Sequence, residues 1–231
     1  MPRIFPIAKH PEECKKWIDR PFPDPYLDDD TLDLDKEFNC GNIKLKYNEK
    51  MYGRGPIVAP MFIHIIESLD KNRHYKNCLE WCSGPGFIGY SILEKGICSE
   101  LDLADIWKPS LRAAENVETT KKVTTWHIRK LSDIQPLKKY DLIVGNPPWN
   151  SGNLLGANGL HADPGLKIIR QFFCDVKKYL SKDGFIVIVE GQMYTGPKDF
   201  VEMIDENGLE MCKLFSCDDE WTWFMVIRHK A

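Results

Sequence analysis

From residue 77 to the end of the chain, short apolar runs alternate with stretches whose apolar residues recur at helical spacing, and that alternation leaves few folds open. Residues 77–82, 101–104, 123–128, 141–145, 185–189, 209–215 and 221–227 read as seven strands. Between them a helix runs through Phe87, Ile88, Tyr90, Ile92 and Leu93 to Gly96, and a second opens at Pro109 and continues through Leu111, Ala113, Ala114 and Val117. A third is capped by Asp163, with Pro164 in its first position and Leu166, Ile169, Phe172, Phe173, Val176 and Leu180 as its buried stripe. The last, over 197–207, is stopped by Gly208. An earlier helix begins at Pro56 and turns Val58, Phe62, Ile65, Ile66 and Leu69 to one side. Parallel strands need crossover connections, and crossover helices cover both faces of the sheet. The expected fold is therefore α/β, a seven-stranded, mostly parallel sheet with helices on both faces. Ligands bind such sheets at the carboxyl ends of the strands.

Residues 140–149, Tyr-Asp-Leu-Ile-Val-Gly-Asn-Pro-Pro-Trp, combine a buried strand with a rigid turn at such an end. Two consecutive prolines lock φ and donate no hydrogen, so nearby carbonyls face outward as acceptors. Asn146 adds an amide oxygen and Trp149 a flat face. Acceptors beside an aromatic plate suit a planar group bearing an NH2, an amide or the amine of a base. An ordinary strand-ending turn over a core tryptophan has the same residues.

The loop after the first strand reads two ways. Gly84-x-Gly86-x-x-Gly89 matches the dinucleotide fingerprint, and Asp105 lies about where a ribose-binding acid is needed. Glu80, however, ends the strand beside these glycines and would repel a pyrophosphate. A cofactor with a cationic end, such as S-adenosylmethionine, would welcome it. Asp105 would then take the ribose hydroxyls and Asp133 the adenine amine.

Composition and charge bound the rest. With 43% apolar and 28% charged residues, the chain has a globular composition. Its net charge of −3 gives no global attraction to nucleic acid. No apolar run approaches a membrane span, and no signal-peptide pattern opens the chain. The eight cysteines form no Cys-x-x-Cys pair, so neither a metal site nor a disulfide framework is expected, and a cytoplasmic setting is. Residues 1–51 differ in carrying Pro2, Pro6, Pro11, Pro21, Pro23 and Pro25 and an acidic run over 24–37. They read as an N-terminal arm, with one or two helical turns over 12–18, ahead of a domain over 52–231.

Leu79-Glu80-Trp81-Cys82-Ser83-Gly84-Pro85-Gly86, Ala104-Asp105-Ile106-Trp107-Lys108-Pro109, Ser132-Asp133-Ile134-Gln135-Pro136-Leu137 and Asn146-Pro147-Pro148-Trp149, in that order, resemble the successive motifs of class I S-adenosylmethionine-dependent methyltransferases. The HemK-type group, which methylates a glutamine side chain of peptide-release factors, is the nearest likeness. Gly165-Leu166, Arg170 and Asp183-Gly184 also fall as they do in that group, and the resemblance spans roughly residues 52–228. It implies a Rossmann-like sheet and a cofactor, S-adenosylmethionine, held by Glu80, Cys82, Gly84, Gly86, Asp105, Ile106, Asp133 and Asn146. It also implies catalysis by Asn146, Pro147 and Trp149, and a protein substrate, such as a translation factor or ribosomal protein, ahead of nucleic acid. Cys82 departs from the glycine expected first in the loop, and Trp149 from the usual tyrosine. The helical substrate-recruiting domain of the bacterial release-factor enzymes has no counterpart here. Some adenine-N6 methyltransferases also carry Asn-Pro-Pro-Trp, which keeps DNA or RNA open as substrate. A nicotinamide oxidoreductase and a silent cofactor-binding module are the remaining alternatives.

Overall fold

Leu79, Leu101, Ile143, Val144, Val187 and Ile188 are wholly removed from solvent because the strands that carry them are covered on both faces. The structure, a computed structural model, describes residues 32–149, 163, 165–191, 195–216 and 222–230. A hairpin of β1 (Lys36–Cys40) and β2 (Ile43–Tyr47) comes first, followed by α1 (Gly55–Leu69). Then come β3 (Tyr75–Trp81), α2 (Phe87–Glu94), β4 (Cys98–Asp105), α3 (Lys108–Glu115), β5 (Lys122–His127) and β6 (Tyr140–Gly145). The chain closes with α4 (Lys167–Val176), β7 (Leu180–Gly191), α5 (Lys198–Glu206), β8 (Leu209–Ser216) and β9 (Thr222–His229).

The expected seven strands form one sheet in the order β5-β4-β3-β6-β7-β9-β8. Every pairing is parallel except those of β9, which runs antiparallel to β7 and β8. The order reverses between β3 and β6, so the loops leaving these neighbours part in opposite directions and open a crevice at their carboxyl ends. Strand alternation divides the core. Cys78, Leu142, Val144, Val187 and Val189 face α1 and α2, while Leu79, Trp81, Ile143, Ile186 and Ile188 face α4 and α5. Leu180, expected at the end of the α4 stripe, instead opens β7 and pairs with Tyr140. The register shift before Leu142 takes up the residues around Asp183 and Gly184.

The arm also departs from its reading. The expected helical turns over 12–18 lie outside the described residues, but 36–47 form the antiparallel hairpin. Its Gly41-Asn42 turn, with Gly41 at a φ of 62°, is a tight-hairpin signal inside an otherwise polar segment. Ile43, Leu45 and Tyr47 point inward while Lys44 and Lys46 are exposed, the two-residue period of a half-buried strand. Phe38 and Tyr47 meet the Phe87 ring edge-on, at centroid distances of 5.3 and 4.9 Å. Glu94 of α2 accepts the Asn42 backbone N–H at 3.0 Å and its side-chain amide at 2.9 Å. The hairpin is thus part of the core on the α2 side. Leu45→Ala should cost about 2–5 kcal/mol in chemical denaturation, as for a fully buried leucine. A strand merely draped on the surface would lose no more than about 0.5 kcal/mol.

Candidate active site

The turn from β3 into α2 is built from left-handed residues. Cys82, Gly84 and Gly86 have φ of 54°, 52° and 92°. Cys82 sits where a glycine would be unstrained, at a cost of about 1–2 kcal/mol, and its half-buried side chain packs on the Trp81 side of the core. A Cβ at Gly84 would meet only the Met51 carbonyl oxygen, at 3.8 Å, so this stretch of backbone has room for a ligand to approach.

Glu80 lies beneath this loop and is 2% exposed. Its Oε2 accepts the Gly89 N–H at 2.7 Å and its Oε1 the Ile88 N–H at 3.3 Å, which ties the first turn of α2 to β3. A Cβ at residue 89 would stand 2.6 Å from that carboxyl, which explains the third glycine of the pattern. Burial pushes the Glu80 pKa up to about 8. Turned inward and tied to the first turn of α2, Glu80 shapes the loop from beneath.

Asp105, at the end of β4, accepts the Gly84 N–H on Oδ2 at 2.7 Å and the Trp107 N–H on Oδ1 at 2.8 Å. Burial raises its pKa, and these backbone donors oppose the rise. Ile106 beside it is 36% exposed, an apolar side chain on the rim of the crevice. Asp133 is exposed; its Oδ2 accepts the N–H groups of Arg129 at 2.8 Å and Lys130 at 3.0 Å and so fixes the turn after β5. Gly84, Asp105 and Ile106 therefore converge at one strand end. Glu80 supports them from below, and Asp133 organises the next loop.

On the other side of the crevice, β6 ends at Gly145, where a Cβ would stand 3.1 Å from the Trp81 carbonyl oxygen. Asn146 donates from Nδ2 to the Gly53 carbonyl oxygen at 2.6 Å. Only the amide nitrogen can face a carbonyl, so Oδ1 is turned away, and among the described residues it accepts no hydrogen bond. Trp149 lies on Gly191: a Cβ there would stand 2.7 Å from Cζ3 and 3.0 Å from Cδ2 of the indole. The Arg54 guanidinium carbon is 5.2 Å from the centroid of the same ring. Sequence reasoning missed Gly53, Arg54 and Gly191. Two glycines flanking a basic residue just ahead of a helix start were the available signal for the first two.

A buried acid pair lies on the α4 side of these loops. Asp163 accepts the N–H groups of Ile168 at 3.0 Å and Ile169 at 3.1 Å, as expected of a helix cap, although α4 itself begins only at Lys167. Burial pushes its pKa up to about 6. Glu190 is fully buried, and among the described residues neither of its carboxyl oxygens has a hydrogen-bond partner. Burial, reinforced by Asp163, holds its pKa well above the usual carboxylate range, and the Gly191 N–H pulls the other way. Folded, Glu190 keeps its proton where the unfolded chain has lost it. Its contribution to stability is therefore fully present below the unfolded value of about 4.3 and is lost as pH rises above it. Glu190→Leu, which removes an unpaired buried polar group, should stabilise the fold by about 1–3 kcal/mol at neutral pH. The gain should be larger at pH 8 than at pH 5 in urea melts, because leucine does not titrate.

Among the described residues no group of His, Cys, Asp and Glu is placed to hold a metal ion. No curated protein matches the sequence. Similar folds occur in a ribosomal protein L11 methylase from Lactobacillus delbrueckii subsp. bulgaricus, at 15% identity and a TM-score of 0.56 over 75% of this chain and 79% of that one. A putative RNA methyltransferase from Pyrococcus horikoshii matches at 13% identity and a TM-score of 0.58, covering 76% of this chain and 85% of the other. The N-methyltransferase NodS from Bradyrhizobium japonicum matches at 15% identity and a TM-score of 0.53, covering 80% and 98%. At these identities the likeness is one of fold. The sequence itself matches the methyltransferase small domain family over residues 63–207, more than half of the chain. A seven-stranded sheet with this strand order, a glycine loop tied to the acid that ends the next strand, and that family match agree: the chain belongs to the methyltransferase small domain family and is an S-adenosylmethionine-dependent class I methyltransferase.

Proposed function

We propose that this enzyme methylates the nitrogen of a planar NH2 group, a protein glutamine side chain, in the manner of the HemK-type group. The observation that carries this reading is the fixed amide of Asn146. Its nitrogen is committed to Gly53, which leaves Oδ1 as an acceptor in the same turn as Trp149. The L11 methylase, named for a ribosomal protein, supports a protein acceptor.

The residues present fit the cofactor. The open backbone at Gly84, the exposed apolar side chain of Ile106 and the carboxylate of Asp105 would hold S-adenosylmethionine, which supplies a methyl group on a cationic sulfur. Asp105 has lone pairs left for ribose hydroxyls beyond the two backbone donors it serves. The chain's own part in the reaction is positioning. Asn146 Oδ1 and the Pro147 carbonyl would take the two hydrogens of the acceptor NH2, turning its lone pair out of conjugation. Once the nitrogen carries the methyl group it is cationic, and one of its protons, hydrogen-bonded to one of these two oxygens, passes to water, so that an N–H is exchanged for an N–CH3. Trp149 would keep the planar group in register. Orientation of this kind contributes on the order of 7–11 kcal/mol to catalysis in favourable cases.

A second reading, adenine-N6 methylation of RNA or DNA, draws on the same loop and on the likeness to a putative RNA methyltransferase. The two separate on salt: a nucleic-acid enzyme binds an oligonucleotide tightly at low salt and loses affinity steeply as salt rises, through counterion release. Mass spectrometry of lysate treated with labelled methyl donor should show label on glutamine. Asn146→Ala should cut turnover by about 10²–10³, the scale of a lost preorganised polar contact, with little effect on cofactor affinity and a stability loss of no more than about 0.5–1.5 kcal/mol for the hydrogen bond to Gly53. Undiminished turnover in that variant would remove the catalytic role of the loop.

A further inference from the structure

The acceptor turn is fastened at both ends by residues outside it. Pro147 and Pro148 in its middle have no backbone hydrogen to donate. Its first residue, Asn146, is tied to Gly53 through the side-chain amide. Its last, Trp149, is tied by Asp163, whose backbone N–H donates to the Trp149 carbonyl oxygen at 3.0 Å. Asp163 is 1% exposed, and each of its backbone and carboxyl polar atoms has a partner. The two carboxyl oxygens accept the Ile168 and Ile169 N–H groups, and the carbonyl oxygen accepts the Leu166 N–H at 3.0 Å. Gly165 and Leu166, at φ of 77° and 57°, carry the chain into α4 through the left-handed region. A left-handed leucine is strained and persists only where its surroundings dictate it; here its side chain is locked into the core on the α4 side.

The helix that Asp163 caps is itself fixed to the cofactor half of the site. Phe172 stacks on the Trp81 indole, with ring centroids 4.0 Å apart and planes 22° from parallel, and Trp81 ends the strand that leads into the glycine loop. Asp163 thus joins a helix braced on β3 to the residue that carries the plate of the acceptor turn.

We propose that Asp163 is a positioning residue for methyl transfer: the two-oxygen grip of its carboxylate on the first turn of α4 holds its backbone N–H on Trp149 and so fixes where the indole stands relative to Asn146. The inference rests on the planar-NH2 reading, in which Trp149 keeps the acceptor in register. An ionised carboxylate accepts equally on both oxygens, and its hydrogen bonds are charge-assisted; a protonated one turns an oxygen into a donor and weakens the grip. The charged and titratable groups acting on it among the described residues are Arg170 of α4, which favours the ionised form, and Glu190 of β7 and the Cys82 thiol of the glycine loop, which interact with it unfavourably when ionised. Burial outweighs the backbone donors and places the change near pH 6, so the grip is complete above that value and is lost as pH falls through it.

Asp163→Asn keeps the backbone N–H and one capping oxygen but sets an NH2 where the second oxygen stood. Glu190→Gln removes the neighbouring titration. Three quantities are measured between pH 5 and pH 8. One is transfer of label from S-adenosylmethionine to a glutamine-containing peptide and to an adenine-containing single-stranded oligonucleotide. The second is affinity for S-adenosylhomocysteine. The third is the fluorine resonance of Trp149 in protein made with 5-fluorotryptophan, identified by its loss in Trp149→Phe. In the wild type, kcat should fall and the resonance should move together as pH drops through about 6. Asp163→Asn should behave at pH 8 as the wild type does at pH 5. Its kcat should be about tenfold to a hundredfold lower, the scale of a misplaced reacting group, its resonance displaced, and neither should respond to pH. KM and S-adenosylhomocysteine affinity should stay near wild type, and so should the melting temperature, because asparagine and aspartate cap helices about equally. Glu190→Gln should keep the pH response. A kcat and a resonance unchanged in Asp163→Asn would overturn the inference and leave the proposed function, which Asn146→Ala tests, standing; Asp163 would then merely cap α4. A pH response that survives in Asp163→Asn and vanishes in Glu190→Gln would also overturn it. Label on the oligonucleotide alone would remove the glutamine reading, and the kcat of Asp163→Asn on that probe would then decide for or against Asp163. Label on neither probe would overturn both.

Discussion

The parallel pairing of β3 with β6, which sets Trp81 opposite Gly145, is the contact on which the site depends. The two strands are neighbours in the sheet but distant in sequence, and the chain leaves their carboxyl ends in opposite directions. Two loops, the glycine loop after β3 and the Asn146 turn after β6, are thereby held side by side. Gly145 permits the close approach, since a side chain there would press on the Trp81 backbone and indole. A slip by one residue would turn Glu80 and the Val144 row to the wrong face and move Asn146 away from the glycine loop.

Backbone conformation does the rest of the positioning. The cofactor loop and the 53–55 turn both rely on left-handed residues, and in each a non-glycine residue, Cys82 or Arg54, adopts that conformation. Both turns are stapled by hydrogen bonds from outside themselves: Asp105 to Gly84, and Asn146 to Gly53. The staples cross between elements, so the crevice is rigid in several directions at once. The hairpin adds a third support by packing Phe38 and Tyr47 on the first residue of α2.

Electrostatically the site is built from acids that give up exposure for hydrogen bonds. Glu80, Asp105 and Asp163 each accept backbone N–H groups at a helix start or loop. Their pKa values rise because burial outweighs those donors. Glu190 accepts no such hydrogen bond among the described residues, and burial raises its pKa well above the usual carboxylate range.

The order of strands and helices, the glycine loop and the Asn-Pro-Pro-Trp turn were legible in the sequence because each is a local pattern. Period-two and period-3.6 spacing, locked proline φ and glycine placement act within a few residues. Family membership followed from the succession of those motifs. The hairpin was less visible, because its alternating residues sit within a polar, proline-rich segment whose composition masks a two-residue period. Tertiary structure alone decided which way side chains turn at a strand end. Glu80 bends under its own loop because the N–H groups of α2 are offered there, and the Asn146 amide is oriented by a carbonyl 93 positions away in the chain. It also set Trp149 against Gly191 and Arg54, which reach it from two other elements. Such contacts depend on distances between segments far apart in sequence, which no local pattern encodes.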